Sequence, residues 1–268
     1  KAIKESDTII IAIPSPFVKQ YFRRIWSSTF RDKFMVSALK GIIPNDNMVM
    51  SEFLASNYKI PTENIGVISG PCHAEEVAME RLSYLTLSTK HMEVARSMCD
   101  IFACSYIKTV PGTDIYGVEY AAVLKNIYAV AMGMAAAYGV GENTKSMILT
   151  RALAEMSRFA VKQGANPLTF LGLSGVGDLF ATCNSPLSRN YQIGFALGSG
   201  KTLDQATKEL GQTAEGINTI VQVRTKAQEL DVYMPITTAL YEVIFEGAPP
   251  LNIAVSLMKN GHRSDVEF

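Results

Sequence analysis

Five short segments carry residue types able to hold or transform a small charged molecule. ALKG (38–41) sets Lys40 at the end of an apolar run, FMVSAL, beside a glycine. A lysine at the carboxyl end of a parallel strand faces the crevice where open α/β sheets bind ligands. Read alone, Lys40 is more readily a surface lysine next to a turn, since exposed lysines are common. SGPCHAEE (69–76) ends a strand at Gly70 and opens a helix with two carboxylates. Free amides at such a helix start bind anions or hydroxyls, or the acids simply complement the helix dipole. GVEYAAVLKN (117–126) embeds Lys125 in strongly apolar sequence, where a lysine either snorkels to water or is held in a cleft. In a cleft, desolvation lowers its pKa toward the range useful for proton transfer, and a neighbouring carboxylate holds it charged.

Two further segments lie in the second half. GLSGVGDLFATC (172–183) places three glycines ahead of Asp178, which the turn aims into a cleft or leaves as a helix cap. SRN (188–190) supplies a capping Ser188, free helix-start amides, the Arg189 guanidinium and the Asn190 amide. That combination suits a phosphate, and equally describes a capped surface helix. His73 has no partner that marks it as an acid or base. Gly200-Lys201-Thr202 imitates the end of a P-loop, but the motif's first glycine is missing and a helix precedes it.

The elements that position these segments change character along the chain. Apolar runs at 7–13, 34–39, 65–69, 83–88 and 106–109 predict strands, with helices predicted over 17–30, 51–57, 73–80 and 93–102. Strands alternating with helices indicate a mainly parallel sheet. Beyond Pro111-Gly112 helices predominate, over 117–137, 145–163, 189–197, 203–209, 215–230 and 236–246. A boundary near 112 therefore divides an α/β part, 1–112, from a mostly α-helical part, 113–268. The strand at 7–13 is β-branched and reads as buried, yet little precedes it, so the chain is expected to begin inside a domain.

Composition narrows the class. In 268 residues, 48% are hydrophobic, and 25 basic residues balance 25 acidic ones. That balance favours neither nucleic acid nor an acidic membrane surface. Cys72, Cys99, Cys104 and Cys183 follow no zinc-ligand spacing and read as free thiols of a cytoplasmic protein. No apolar stretch reads as a membrane span.

Taken in order, ALKG, SGPCHAEE, GVEYAAVLKN, GLSGVGDLFATC, SRN and AEG resemble the NAD(P)-dependent glycerol-3-phosphate dehydrogenase family, over nearly the whole chain. The resemblance implies a Rossmann-type domain lacking its N-terminal part, then a helical substrate-binding domain. It implies reversible hydride transfer between NAD(P)H and dihydroxyacetone phosphate, giving sn-glycerol 3-phosphate for glycerophospholipid synthesis, in a cytoplasmic homodimer. By position, Lys125 matches the catalytic proton donor and acceptor, Lys40 a lysine touching substrate and nicotinamide, and Asp178 a carboxylate of the same cluster. Gly70 and Cys72 match substrate contacts; Ser or Thr is common where Cys72 stands, and a thiol is the weaker hydrogen-bond partner. Ser188, Arg189 and Asn190 match the phosphate site. Ala74, Arg189 and Glu215 match cofactor contacts, and no metal is implied.

The resemblance also implies that roughly 70 residues are absent before Lys1, those carrying the GxGxxG loop of a first βαβ unit. Two other readings compete. One is a related two-domain hydroxyacid dehydrogenase, for which a phosphate site is superfluous. The other is a non-catalytic dimerisation or binding fragment without its cofactor loop.

Overall fold

A computed structural model of the chain describes residues 2–211 and 215–253. A short helix, α1 (Ala2–Glu5), leads into β1 (Thr8–Ile11), and a 3-10 turn and α2 (Val18–Phe22) connect it to β2 (Phe34–Ser37). Then follow α3 (Met50–Tyr58), β3 (Ile65–Ser69), α4 (Ala74–Ala78), β4 (Ser83–Thr89), α5 (Met92–Phe102) and β5 (Ile107–Gly112). The strands lie in sequence order in one sheet, β1, β2 and β3 parallel, β4 antiparallel to β3, and β5 parallel to β4. The expected α/β Rossmann-type part is thus present, with one reversal. A parallel return needs a crossover that spans the strand. The five residues of α4 span only about 7.5 Å at the rise of an α-helix, so the chain comes back antiparallel.

The helix expected over 17–30 is a correction. The chain makes α2, a turn, and a 3-10 helix over Ser27–Phe30. Phe22 and Phe30 stack at 5.7 Å between ring centroids, and both pack edge-on to Tyr58. In one continuous helix these positions would be about 12 Å apart along the axis. Burying both rings against α3 therefore requires the chain to fold back.

The helical part contains α6 (Ile115–Ala137), α7 (Glu142–Val161), α8 (Asp178–Cys183), α9 (Arg189–Gly198), α10 (Leu203–Leu210), α11 (Glu215–Glu229) and α12 (Pro235–Phe245). α6 is apolar on all sides, as a helix surrounded by others must be, and Gly117 to Met134 are buried. Among the described residues it is the one helix long and apolar enough to cross a membrane, but 83% of that span is buried inside the fold. α9 crosses it closely. A Cβ on Gly133 would meet the backbone of Tyr191 and Phe195, and one on Gly194 the backbone of Val130. Only glycine at both positions permits this approach.

Candidate active site

The carboxyl ends of β1, β2 and β3 point the same way, toward α6, α8 and α9. Lys125 lies inside α6 and is 3% exposed, so it is not a snorkelling lysine. Its ammonium donates to Oδ1 of Asp178, the first residue of α8, which is 1% exposed. Such a pair costs desolvation energy that its own attraction repays only with further hydrogen bonds. Those come from Ser69, the last residue of β3, at 3.3 Å from Oδ2, and from Thr182 at 3.4 Å from Oδ1. Burial pulls the Lys125 pKa down to about 8; the Asp178 charge opposes that shift and the nearby Lys40 charge adds to it.

Asp178 is delivered there by a turn that ordinary helix geometry does not give. Residues Leu173–Gly177 form a π-helical turn, a conformation frequent at functional sites. A side chain on Gly175 would collide with the backbone of Phe170. The glycines of GLSGVGD thus serve close packing, and Asp178 is a buried ion-pair partner rather than a loop-end cap.

Lys40 stands three residues beyond the end of β2 and is half-buried, not the free surface lysine that its motif alone allows. Its carbonyl accepts from Asn126 Nδ2 at 2.9 Å. Asn126 Oδ1 accepts from Asn190 Nδ2 at 3.0 Å, and Asn190 Oδ1 accepts from the Gly216 amide at 3.0 Å. One continuous chain of hydrogen bonds thereby joins the loop after β2, α6, α9 and the start of α11. Asn190 keeps a second amide hydrogen for another acceptor. Ser188 caps α9, its hydroxyl accepting from the Tyr191 amide at 3.3 Å, which leaves the first amides of the helix for an anion.

These groups surround two adjoining chambers. The first, about 260 Å³, is walled by Lys40, Cys72, Ala74, Lys125, Asp178, Ser188, Arg189 and Asn190, together with His73, Glu75, Asn126, Thr182 and Leu187. The second, about 270 Å³, is lined by Ala12, Ile13 and Pro14 after β1, by Ala38 and Leu39 after β2, and by Glu215. Lys40, Asn126, Arg189 and Asn190 border both. Glu215 Oε1 accepts from the Ser15 amide at 3.1 Å and from its hydroxyl at 3.4 Å, linking α11 to the sheet across the second chamber.

Eight of the ten residues singled out from sequence meet at the first chamber, and Glu215 meets the second. Gly70 lines neither. Its φ of 152° and the approach of Leu85 Cα, 3.0 Å from where a Cβ would sit, explain the glycine by packing against β4. Ala214 of the AEG motif lies outside the described residues. Cys72 is half-buried, and burial pushes its thiol pKa up, so it meets the chamber as a neutral SH. Sequence reasoning missed Asn126, Ser15, Ser69 and Thr182. Asn126 sits within the quoted LKN motif, but only the fold reveals that it spans three elements. His73 also borders the chamber, its Nε2 3.2 Å from the Ala181 carbonyl.

The second chamber fits a nicotinamide cofactor. It lies at strand carboxyl ends, where doubly wound sheets bind dinucleotides. Its lining combines apolar residues, Ala12, Ile13, Pro14, Ala38 and Leu39, with polar ones, Lys40, Asn126, Arg189, Asn190 and Glu215, the mixture that a flat ring bearing an amide calls for.

Models of the two halves of one family match the chain, "NAD-dependent glycerol-3-phosphate dehydrogenase N-terminus" over residues 1–95 and "C-terminus" over 114–255. A glycerol-3-phosphate dehydrogenase [NAD(P)+] of Acinetobacter baylyi is 61% identical over 267 residues, covering 100% of this chain and 74% of that protein. The protein of the same name from Alcanivorax borkumensis is 49% identical over 268 residues, covering 100% of this chain and 78% of its own. A crystal structure of glycerol-3-phosphate dehydrogenase from Coxiella burnetii superimposes with a TM-score of 0.88 at 27% identity, over 95% of this chain and 77% of that one. A buried lysine–aspartate pair and a capped helix start flanking a strand-end cleft thus coincide with similarity along the whole sequence, and the chain belongs to the NAD-dependent glycerol-3-phosphate dehydrogenase family.

Proposed function

We propose that the protein interconverts dihydroxyacetone phosphate and sn-glycerol 3-phosphate with NAD(P)H and NAD(P)+. The observation that carries this reading is the convergence of Lys40, the Lys125–Asp178 pair and Ser188-Arg189-Asn190 on one small chamber. Its volume of about 260 Å³ suits a three-carbon phosphate.

Reducing the ketone places a hydride on carbon and a proton on oxygen. A nicotinamide cofactor, when bound, would supply the hydride. Lys125, in its ammonium form, gives a proton to the carbonyl oxygen and recovers one from solvent after release. Asp178 aims that ammonium and holds it charged in a dry site. Lys40 stabilises negative charge developing on the same oxygen. Arg189, Asn190 and the α9 amides hold the phosphate, a remote group whose binding energy orients the carbonyl. Cys72 contacts the substrate from the SGPCHAEE turn. Gly70, packed against β4, shapes the turn that presents Cys72. Lys40, Ala74, Arg189 and Glu215 hold the cofactor. In this reading the sheet part, 1–112, carries the cofactor, the helical part, 113–268, carries substrate and proton transfer, and the enzyme works as a cytoplasmic homodimer.

The test is NADH oxidation upon addition of dihydroxyacetone phosphate, on this chain and on one preceded by the N-terminal segment of the Acinetobacter baylyi relative. Consumption of one NADH per sn-glycerol 3-phosphate formed is expected from the extended chain. An extended chain that binds NADH yet leaves dihydroxyacetone phosphate unreduced overturns the assignment.

A further inference from the structure

Six residues before Lys125 on α6 stands a carboxylate that lines neither chamber. Glu119 is 1% exposed, and every partner of its side chain lies in the sheet part. Oε1 accepts from the Ser37 hydroxyl at 2.9 Å, and Ser37 is the last residue of β2, three before Lys40. Oε2 accepts from the Ser51 amide at 3.1 Å and from the Ser51 hydroxyl, in the first turn of α3. One carboxylate thus ties the strand that presents Lys40, and the helix following it, to the helix that presents Lys125. We propose that Glu119 is a positioning residue for the reaction, fixing Lys40 relative to Lys125 across the junction of the two parts. This inference rests on the proposed function.

The chemistry of the tether makes it distinguishable from simple packing. A carboxylate accepts at both oxygens, whereas a carboxylic acid gives up part of that capacity. The three donors around Glu119 therefore hold it best when it is ionised. Burial, reinforced by the Glu52 charge on α3, raises its pKa from 4.5 to about 7, against the pull of Ser51 and Ser37. The other groups facing this region are Tyr116 and Tyr120 on α6, and Lys226 of α11, which donates to the Tyr120 hydroxyl at 3.0 Å. A folded-state pKa above the unfolded one means the folded chain binds more protons between these values. Ionised Glu119 thus lowers stability as pH rises from 4.5 through about 7, while tightening the tether.

Glu155 provides the internal control. It is equally buried, and it accepts from the Ile236 and Thr237 amides at 2.8 and 2.9 Å at the start of α12 and from the Tyr128 hydroxyl of α6 at 3.2 Å, but none of these residues lines either chamber or belongs to the sheet part. The experiment measures kcat and KM for dihydroxyacetone phosphate with the full-length protein across about pH 5–9, for Glu119→Gln, Glu119→Asp and Glu155→Gln. The unsubstituted enzyme should show kcat rising as pH passes about 7. Glu119→Gln should lose that limb and, above it, about ten- to a hundredfold in kcat, with KM changed by less than about threefold. Glu119→Asp should keep an acid limb at reduced kcat, and Glu155→Gln should leave the profile unmoved. Glu119→Gln should be no less stable than the unsubstituted protein above pH 7. An unaltered acid limb in Glu119→Gln, or a kcat loss that only follows lost folded protein, overturns the proposal. An unsubstituted enzyme inactive on dihydroxyacetone phosphate would instead overturn the function itself.

Discussion

The two chambers differ in how their walls are made. The first is built from long polar side chains delivered by α6, α8 and α9, with a buried ion pair at its base. The second shares Lys40, Asn126, Arg189 and Asn190 with the first and adds the apolar residues where β1 and β2 end, Ala12, Ile13, Pro14, Ala38 and Leu39; its one acidic side chain, Glu215, is already engaged by Ser15. A chamber made of functional groups should respond to single substitutions through chemistry. The strand-end wall that only the second chamber has should respond weakly, and through binding.

Lys125→Ala offers the sharpest break. Removing the proton donor should lower kcat about 10²- to 10⁴-fold, measured as NADH oxidation at saturating substrate. Binding of inorganic phosphate to the chamber should survive, since Ser188, Arg189 and Asn190 are untouched. Near-normal turnover would take Lys125 out of the reaction.

Asp178→Asn should come next, with kcat falling about ten- to a hundredfold at neutral pH. The sign of its pH effect follows from the ion pair. With Lys125 titrating at about 8, reduction weakens as pH rises past that value, and oxidation of sn-glycerol 3-phosphate strengthens. Without the Asp178 charge the buried ammonium is less favoured, so both limbs should move to lower pH. Limbs that stay in place would mean another group sets them.

Arg189→Ala should act mainly on binding. Loss of a charged hydrogen bond predicts a rise of about ten- to a hundredfold in KM for dihydroxyacetone phosphate, with kcat largely kept. An unchanged KM would count against its hold on the phosphate. Ser15→Ala, behind the second chamber, should be mildest. It removes one 3.4 Å bond to Glu215 while the amide bond persists, so KM for NADH should rise only about threefold. If Ser15→Ala instead altered KM for the triose phosphate, the division of labour between the chambers would fail.

The same contrast explains what could be read from sequence. Lys40, Lys125, Asp178 and Ser188-Arg189-Asn190 announce themselves by residue type and by order along the chain, and the fold brings them to one wall. Ser15, Ser69 and Asn126 act through partners 200, 109 and 86 residues away, distances that no local pattern encodes. Strand and helix alternation was visible in apolar spacing, and so was the change to helices after Pro111-Gly112. The fold-back between Phe22 and Phe30 was not, because its cause is Tyr58 on another helix. Nor was the reversal at β4, which depends on how few residues α4 contains.

The crossing of α6 and α9 at Gly133 and Gly194 works as a ruler. One helix bears Lys125, the other begins at the proposed phosphate anchor, and the span between the two would mark the length of molecule that touches both ends. Backbone against backbone leaves nothing compressible at the pivot. A methyl group added at either glycine would therefore change which chain length the chamber measures, before it changed the chemistry performed there.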